Sequence, residues 1–277
     1  MSARGHESTY PENLRPEQVP MWARERRVLE LLGPLVHREI RSRYRTSALD
    51  VLWALVNPVV TMAVYGFVLT RGFDVQAHCG PYLVSAWSGL VLWVFFATSV
   101  TAAVTSIISS SQTVTKVYFP REALPLAATG SALLDLAIGL LTVLVLLVLS
   151  GVGFSFHTVL AVLPLLMLVL WTAALAVFLA AFAAFARDVV HVVQLVTRVG
   201  IFAVPVFYEQ RLLPDVLDWM NVVNPVTVAI EGFRACVICG RSPALGLLAI
   251  HVGLAVCLLV ASLLYMRRVE ARISDLV

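Results

Sequence analysis

Long apolar runs separated by short polar segments constrain this chain more than any other feature of its sequence. Six such runs occur near residues 51–70, 82–106, 125–149, 158–185, 189–208 and 244–266. A helix needs roughly 20 apolar residues to cross the hydrocarbon core of a bilayer, and these runs have about that length. Because 60% of the 277 residues are apolar, a soluble fold of this size is excluded. The sequence predicts an all-α integral membrane protein with six transmembrane helices.

The positions of the basic residues predict how these spans are oriented. Arginines are abundant before residue 50, and more basic residues follow the second, fourth and sixth runs: Lys116, Arg121, Arg187, Arg267, Arg268 and Arg272. The short segment 150–157 contains no Lys or Arg. Because loops rich in Lys and Arg stay inside, we expect a multi-pass protein of the cytoplasmic (inner) membrane with both termini in the cytoplasm.

The first 49 residues contain a tail and an amphipathic segment. Residues 1–21 are polar and rich in proline, so we expect a disordered cytoplasmic tail. Across residues 22–49, apolar side chains recur every three or four positions, and arginines recur on another face. This pattern predicts a cytoplasmic interface helix, bent or restarted at Gly33-Pro34. The helix either holds its arginines toward acidic lipid or a protein partner, or anchors the chain before its first span.

Residues 112–125, with the sequence QTVTKVYFPREALP, form a charged elbow between the second and third runs. The elbow holds the only lysine of the chain, Lys116, and the neighbouring pair Arg121 and Glu122. A solvated turn between two spans would have this composition. A contact surface for another protein would have it too, and the composition of the elbow leaves both interpretations open.

Two ionisable residues lie at membrane depth, Asp135 in the third run and Arg198 in the fifth. Because a charge in hydrocarbon is costly, each is expected to face the interior of the bundle or an aqueous path. They serve either as structural or interfacial charges or as part of a substrate path. His251, in the sixth run, has no second titratable group beside it, so we interpret it as a hydrogen-bonded packing residue.

Aromatic residues are concentrated in the second run, which contains Trp87, Trp93, Phe95 and Phe96. One interpretation is an outer aromatic belt combined with core packing. The other is a conduit lined by rings, because aromatic faces stack on sugar rings without requiring a particular hydrogen-bond pattern.

Residues 209–243, between the fifth and sixth runs, are too polar and too interrupted to cross the membrane twice. We predict two short re-entrant helices here that enter from outside, since irregular backbone is tolerated at that depth where protein or water covers it. Cys236 and Cys239 make a single CxxC pair, which is weak support for redox or metal chemistry. The four cysteines of the chain do not indicate a disulfide-rich framework.

Motifs for catalysis are absent from the sequence. No HExxH, GxSxG or GxGxxG pattern occurs, and a P-loop is excluded because Lys116 lacks the glycines that the motif requires. We therefore expect no catalytic residue, no metal and no cofactor in this chain. The small net charge of +3, distributed in clusters, argues against a nucleic-acid partner. Uphill transport would need an ATPase on another chain.

Five segments carry a resemblance to a known family. They are LLGPLVHREIRSRYRTSALDVLWALVNPV (31–59), VTKVYFPREALPL (114–126), FARDVVHVVQL (185–195), PVFYEQRLLP (205–214) and NPVTVAIEGFR (224–234). Together they resemble the membrane subunit of polysaccharide and polyol-phosphate exporters of the O-antigen, teichoic acid or galactan type. These exporters belong to the second family of ATP-binding-cassette (ABC) exporters. One departure is Asp50, where the family commonly has glycine.

The resemblance implies a homodimeric permease domain over residues 50–277 that exports a lipid-diphosphate-linked polysaccharide. Each permease would bind a separate nucleotide-binding subunit, present in two copies, which holds ATP and Mg. Residues 109–124 would be a coupling helix. The implied ATPase contacts are Arg38, Arg41, Arg43, Tyr44, Arg45, Lys116, Val117, Tyr118, Phe119, Arg121 and Glu122. The candidate substrate path comprises Trp87, Trp93, Phe95, Phe96, Asp135 and Arg198.

Other classes stay open. An exporter of a drug, haem or another amphiphile would share this architecture. A membrane-embedded lipid-linked sugar transferase would need acidic or His-rich loop motifs, and a structural scaffold would associate with no ATPase.

Overall fold

The computed structural model describes residues 21–44, 79–109, 120–208 and 218–276, together with residues 60 and 64. Within these ranges every regular element is a helix and no strand occurs, as predicted. Residues 1–20, most of the first predicted span at 51–70, and residues 112–119 of the elbow lie outside the described residues.

Helix α1, Met21–Tyr44, runs without a break through Pro34. Of the two predicted alternatives at Gly33-Pro34, the restart is therefore wrong, and the bend stays a prediction. Both residues lie on the exposed side of the helix, where the carbonyl that loses its partner to proline can be hydrated. On the opposite side, Leu35 is buried and Val36 faces Gly130 of a later helix. The apolar face of α1 therefore packs against the protein.

Four long helices match predicted spans. They are α2, Tyr82–Ser109; α3, Ala123–Leu149; the pair α4, Phe156–Leu160, and α5, Val162–Ala183; and α9, Leu245–Leu276. Helices α4 and α5 are separated only by Ala161 and together are long enough to cross a bilayer. Residues 245–270 of α9 form the fourth apolar span. The described part of the chain thus contains four candidate spans, with ends within a few residues of the predicted ones.

The fifth predicted span, 189–208, is shorter than expected. Helix α6, Asp188–Ala203, has 16 residues, which rise about 24 Å, less than the hydrocarbon core of roughly 30 Å. The helix ends because Val204 precedes Pro205 and is extended, with φ −110° and ψ 142°. A proline disfavours the helical conformation of the residue before it. Residues 204–208 are therefore irregular.

Two short helices occupy the predicted re-entrant segment: α7, Asp218–Val223, and α8, Pro225–Val237. The side chain of Asn224 caps α8 by accepting hydrogen bonds from the backbone N–H groups of Val226 and Thr227. Pro225 occupies the first turn, where its missing N–H is not needed. Helix α8 is largely buried and packs against α2, α4 and α5.

Helix α5 lies at the centre of the bundle and packs against α2, α3, α8 and α9. Close packing depends on small residues: Ala176 and Ala180 of α5 are fully buried, and Val91 of α2 fills the space above Gly139 of α3. The two largest apolar clusters lie at opposite ends of the bundle. The end around residues 120–124 and 266–270 is called the elbow end. The opposite end, around residues 79–89, 204–208 and 225–240, is called the disulfide end after the bond between Cys79 and Cys239.

Candidate functional site at the two ends of the bundle

The elbow end buries charged residues against the end of the last helix. Arg121 and Glu122, in the turn that leads into α3, are only 4% and 1% exposed. Nε of Arg267 on α9 lies 3.9 Å from Oε1 of Glu122. Glu270, one turn further along α9, is also buried. Two guanidinium groups and two carboxylates therefore meet where α3 begins and α9 leaves its apolar span.

The charges at this end balance one another electrostatically. Burial lowers the pKa of the Arg121 guanidinium, and the nearby carboxylate of Glu270 raises the pKa and so opposes that effect. An arginine keeps its charge under these conditions, because its ordinary pKa lies far above neutral pH. Buried charges persist only when they are paired, so the four groups are expected to act as a unit.

The predicted ATPase contacts fall into three groups. Arg38 and Arg41 are exposed on α1, where a partner can reach them. Arg121 and Glu122 are buried and face this chain, so they are not available on its surface. The side chains of Arg43, Tyr44, Arg45, Lys116, Val117, Tyr118 and Phe119 lie outside the described residues. Contact with an ATPase stays a prediction for the exposed and undescribed residues.

At the disulfide end, one buried arginine joins three segments of the chain. Arg234 of α8 is 4% exposed and donates hydrogen bonds to the carbonyl oxygens of Ser85, Pro205 and Val206 at 3.1, 2.7 and 2.6 Å. Its Nη1 also lies 3.0 Å from Oε1 of Glu231. Because α6 ends early, the carbonyls of the irregular segment need donors at that depth, and Arg234 supplies them.

The packing around Arg234 leaves no spare room. A Cβ on Gly89 would come within 2.6 Å of Nη2 of Arg234 and 2.8 Å of the carbonyl oxygen of Val206. The hydroxyl of Tyr82 donates to the carbonyl of Phe207 at 2.8 Å, a second link between α2 and the irregular segment. Arg234 was not among the predicted site residues. The signal was present, since Glu231 and Arg234 are three residues apart on one helix.

A disulfide bond between Cys79 and Cys239 closes this end. It joins the residues just before α2 to those just after α8. Cys236 is a free, buried thiol, so the CxxC pair considered from the sequence does not act as a unit. The two bonded cysteines lie in different predicted outer segments, but sequence position alone does not choose between Cys236 and Cys239 as the partner of Cys79.

His251 connects α9 to the short helix α7. Its Nε2–H donates to the carbonyl oxygen of Val222 at 2.8 Å, and its ring centroid lies 6.0 Å from that of Trp171 on α5. This confirms the interpretation of His251 as a hydrogen-bonded packing residue.

The aromatic residues of the candidate substrate path lie mainly in the protein interior. Trp87, Trp93 and Phe95 are buried, while Phe96 is half-buried with its ring centroid 5.7 Å from that of Trp93. The indole N–H of Trp87 donates to the hydroxyl of Thr142 on α3 at 2.7 Å. This arrangement favours packing over a ring-lined conduit within a single chain.

The two membrane charges lie on different helices. Asp135 is half-buried on α3, which packs against α1, α2 and α5, and Arg198 is exposed on α6, which packs against α2 and α5. Among the described residues, no group of three or more His, Cys, Asp or Glu side chains could hold a metal ion.

These features define a multi-pass helical membrane protein with a tightly bonded disulfide end and a charged elbow end. The family described as ABC-2 type transporter matches residues 30–238, and the chain belongs to this family. The predicted resemblance to the permeases of ABC exporters is thereby confirmed.

Three relatives share most of this length. The chain is 31% identical over 207 residues to an O-antigen export system permease protein RfbA of Myxococcus xanthus, covering 74% of this chain and 79% of the relative. Two proteins of the same description from Klebsiella pneumoniae are 26% and 24% identical over 209 residues, covering 75% of this chain and 80% of each relative.

Proposed function

We propose that this chain is the permease subunit of an ABC exporter that moves a lipid-diphosphate-linked polysaccharide from the cytoplasmic to the outer side of the membrane. A separate ATPase subunit supplies the energy. The observation that carries the proposal is the family match over residues 30–238, together with three relatives whose names describe O-antigen export.

The disulfide bond supports the proposed orientation. Disulfides form and persist on the oxidising side of a membrane and are rare in the cytosol. The bond between Cys79 and Cys239 therefore favours placing the disulfide end outside. The elbow end then lies in the cytoplasm, which agrees with the Lys and Arg residues of the loops. On this orientation α7 and α8 are the proposed re-entrant helices, entering from the outer side.

Two exposed arginines support a partner surface at the cytoplasmic end. Arg38 and Arg41 lie one turn apart on the outward side of α1, whose apolar side is held against α3 by Leu35 and Val36. A helix fixed in this way presents its charges in one direction. We propose that this surface and the elbow bind the ATPase, with two permeases and two ATPases per complex.

The interior of a single chain is filled with side chains, which favours a substrate path that lies between two permeases. Trp87, Trp93 and Phe95 fill the core between α2 and its neighbours, so a wide glycan has no room there without repacking. Arg198 and the half-buried Phe96 are nearer to the surface. We propose that the exposed side of α6 lines the path in a homodimer.

The test is reconstitution with a defined substrate. The ATPase is first identified by its co-purification with this chain from native membranes. The two chains are then co-expressed and placed in vesicles that contain a polyprenyl-diphosphate-linked glycan. We expect glycan transfer that requires both chains and ATP, and that stops with a hydrolysis-deficient ATPase. Uphill transfer by this chain alone, or a drug or haem stimulating ATP hydrolysis where the glycan does not, would overturn the proposal.

A further inference from the structure

The elbow end and the disulfide end are joined by one continuous helix. Helix α9 contains no proline between Leu245 and Leu276, so its backbone hydrogen bonds are uninterrupted along this length. Arg267 contacts Glu122 at the elbow end, and His251 contacts the carbonyl of Val222 on α7. These two contacts are 16 residues apart, about 24 Å along the helix.

Glu122 is oriented toward α9 and not toward its own helix. It occupies the N-cap position of α3, yet its side chain makes no capping hydrogen bond. Its carboxylate instead lies 3.9 Å from Arg267, in a region from which water is almost excluded. Low dielectric strengthens the attraction between these charges, so a displacement of the elbow acts on α9 through them.

Apolar packing reinforces this connection. Ala123 and Leu124, directly after Glu122, belong to the same buried cluster as Met266 and Val269, which flank Arg267 on α9. Close-packed protein interiors have low compressibility and transmit strain.

We propose that Arg121, Glu122, Arg267 and Glu270 are positioning residues that join the elbow to α9, and that α9 carries motion of the elbow to α7 through the contact of His251 with Val222. In this arrangement the ATPase touches the outer surface of the elbow and α1, while the buried charges pass the movement on. The inference rests on the proposed function and adds the connection between the two ends.

The experiment uses the reconstituted complex and measures three quantities: co-purification of the ATPase, ATP hydrolysis, and glycan exported per ATP hydrolysed. The first variant is Arg267→Gln, because this side chain is 20% exposed and its loss is tolerated better than that of Glu122. The second is His251→Phe, which keeps a ring but cannot donate to Val222. The matched control is Arg268→Gln, at the exposed neighbouring position.

Arg267→Gln is expected to lower the yield, because it removes a cation beside the buried carboxylate of Glu122. In the folded complexes of both variants the ATPase binds and hydrolyses ATP normally, while export per ATP hydrolysed falls by at least about fivefold, the lower range of typical coupling effects. The control exports normally. Combining Glu122→Arg with Arg267→Glu is expected to recover part of the export lost in either single variant, because the opposite charges face each other again.

Three outcomes would overturn the proposal. Normal export per ATP in Arg267→Gln would show that the charged contact transmits nothing. Normal export in His251→Phe would show that the connection does not reach α7. Loss of ATPase binding in Glu122→Gln, with Arg267→Gln unaffected, would make Glu122 a direct contact residue. Failure of the unmodified complex to export any glycan with ATP would instead refute the proposed function itself.

Discussion

The two ends of the bundle both bury arginines, but the partners of these arginines differ. At the disulfide end, Arg234 donates short hydrogen bonds to backbone carbonyls of α2 and of residues 205–206, and a covalent bond lies beside it. At the elbow end, the guanidinium of Arg267 faces a carboxylate at 3.9 Å, beyond ordinary hydrogen-bond distance.

These two contacts differ in how strictly they fix the course of the chain. Hydrogen bonds to backbone carbonyls are directional, so they fix the course of the chain. The Coulomb attraction between Arg267 and Glu122 changes gradually with distance, so this contact is less directional but still draws the two groups together. We therefore expect changes at the disulfide end to reduce stability, and changes at the elbow end to reduce the coupling of transport to ATP hydrolysis.

The largest expected effect is that of Arg234→Met. The substitution removes one partner of Glu231 and one hydrogen-bond donor from each of the carbonyls of Ser85, Pro205 and Val206. A buried acceptor that loses its donor costs about 1 to 3 kcal/mol, so the yield and the thermal midpoint in detergent should both fall. Arg234→Lys should recover only part of the lost yield and thermal midpoint, because an ammonium group cannot reproduce the planar fork of five donors.

The exposed Arg241, shortly after α8, provides the control. Arg241→Met should leave yield and thermal midpoint unchanged. An equal loss in both variants, or no loss in Arg234→Met, would show that the network around Arg234 does not hold this end together.

The next effect is loss of the disulfide in Cys79→Ser. The bond spans 160 residues of sequence, and removing such a cross-link costs about 2 to 4 kcal/mol by releasing the unfolded chain. The thermal midpoint should therefore fall, and adding reductant to the unmodified protein should lower it by the same amount.

Cys257→Ser, at an exposed position on α9, is the control and should retain both the midpoint and its sensitivity to reductant. Mass spectrometry of unreduced peptides should recover Cys79 linked to Cys239. A free Cys79 in protein from native membranes would contradict the assignment and the orientation that it supports.

The broad fold could be predicted because its determinants are local. Span length depends on a run of apolar residues, so α2, α3, the α4–α5 pair and α9 lie close to the predicted positions. The two short helices after α6 were signalled by Asn224-Pro225, which combines a cap with a first-turn proline. The effect of Pro205 on α6 was also readable from the sequence, yet the predicted span continued five residues too far.

The partners of the buried groups could not be predicted, because they depend on distant contacts. Arg234 bonds to Ser85, 149 residues away, and nothing in either local sequence specifies this pairing. The charges of the elbow were interpreted as a surface feature, whereas the packing of α3 against neighbouring helices buries Arg121 and Glu122. Likewise, the spacing of Cys236 and Cys239 was only weak support for a local unit, and nothing in the sequence near either residue indicated that the fold brings Cys79 to Cys239.

A smaller loss of stability is expected when one glycine at each end of the bundle is replaced by alanine. In Gly89→Ala, the new methyl group meets a backbone carbonyl and a fixed guanidinium, so we expect a loss of about 1 to 3 kcal/mol. In Gly130→Ala, the three atoms nearest to the new methyl all belong to the side chain of Val36 on α1, with Cγ2 at 2.8 Å. Helix α1 can shift slightly, and alanine favours a helix over glycine by roughly 0.5 to 1 kcal/mol, so the net change should be small.

Thermal midpoints of the two variants test this directly. Gly246→Ala, with open space around the new methyl, serves as the control and should be neutral or slightly stabilising. Equal losses for Gly89→Ala and Gly130→Ala would mean that the two ends are equally rigid, contrary to the comparison.

The smallest expected effect on stability is that of Arg38→Ala combined with Arg41→Ala. Both side chains are exposed on α1 and take no part in the buried cluster formed by Leu35 and its neighbours, so the thermal midpoint should not change. If they bind an ATPase, the variant should retain less of that subunit on purification, and the loss should grow with salt because exposed charges are screened. Lys substitutions at both positions should restore binding if charge alone matters, and should fail if planar guanidinium contacts are needed. Full ATPase binding by the alanine variant in high salt would remove this surface from the partner contact and leave the undescribed part of the elbow as its main candidate.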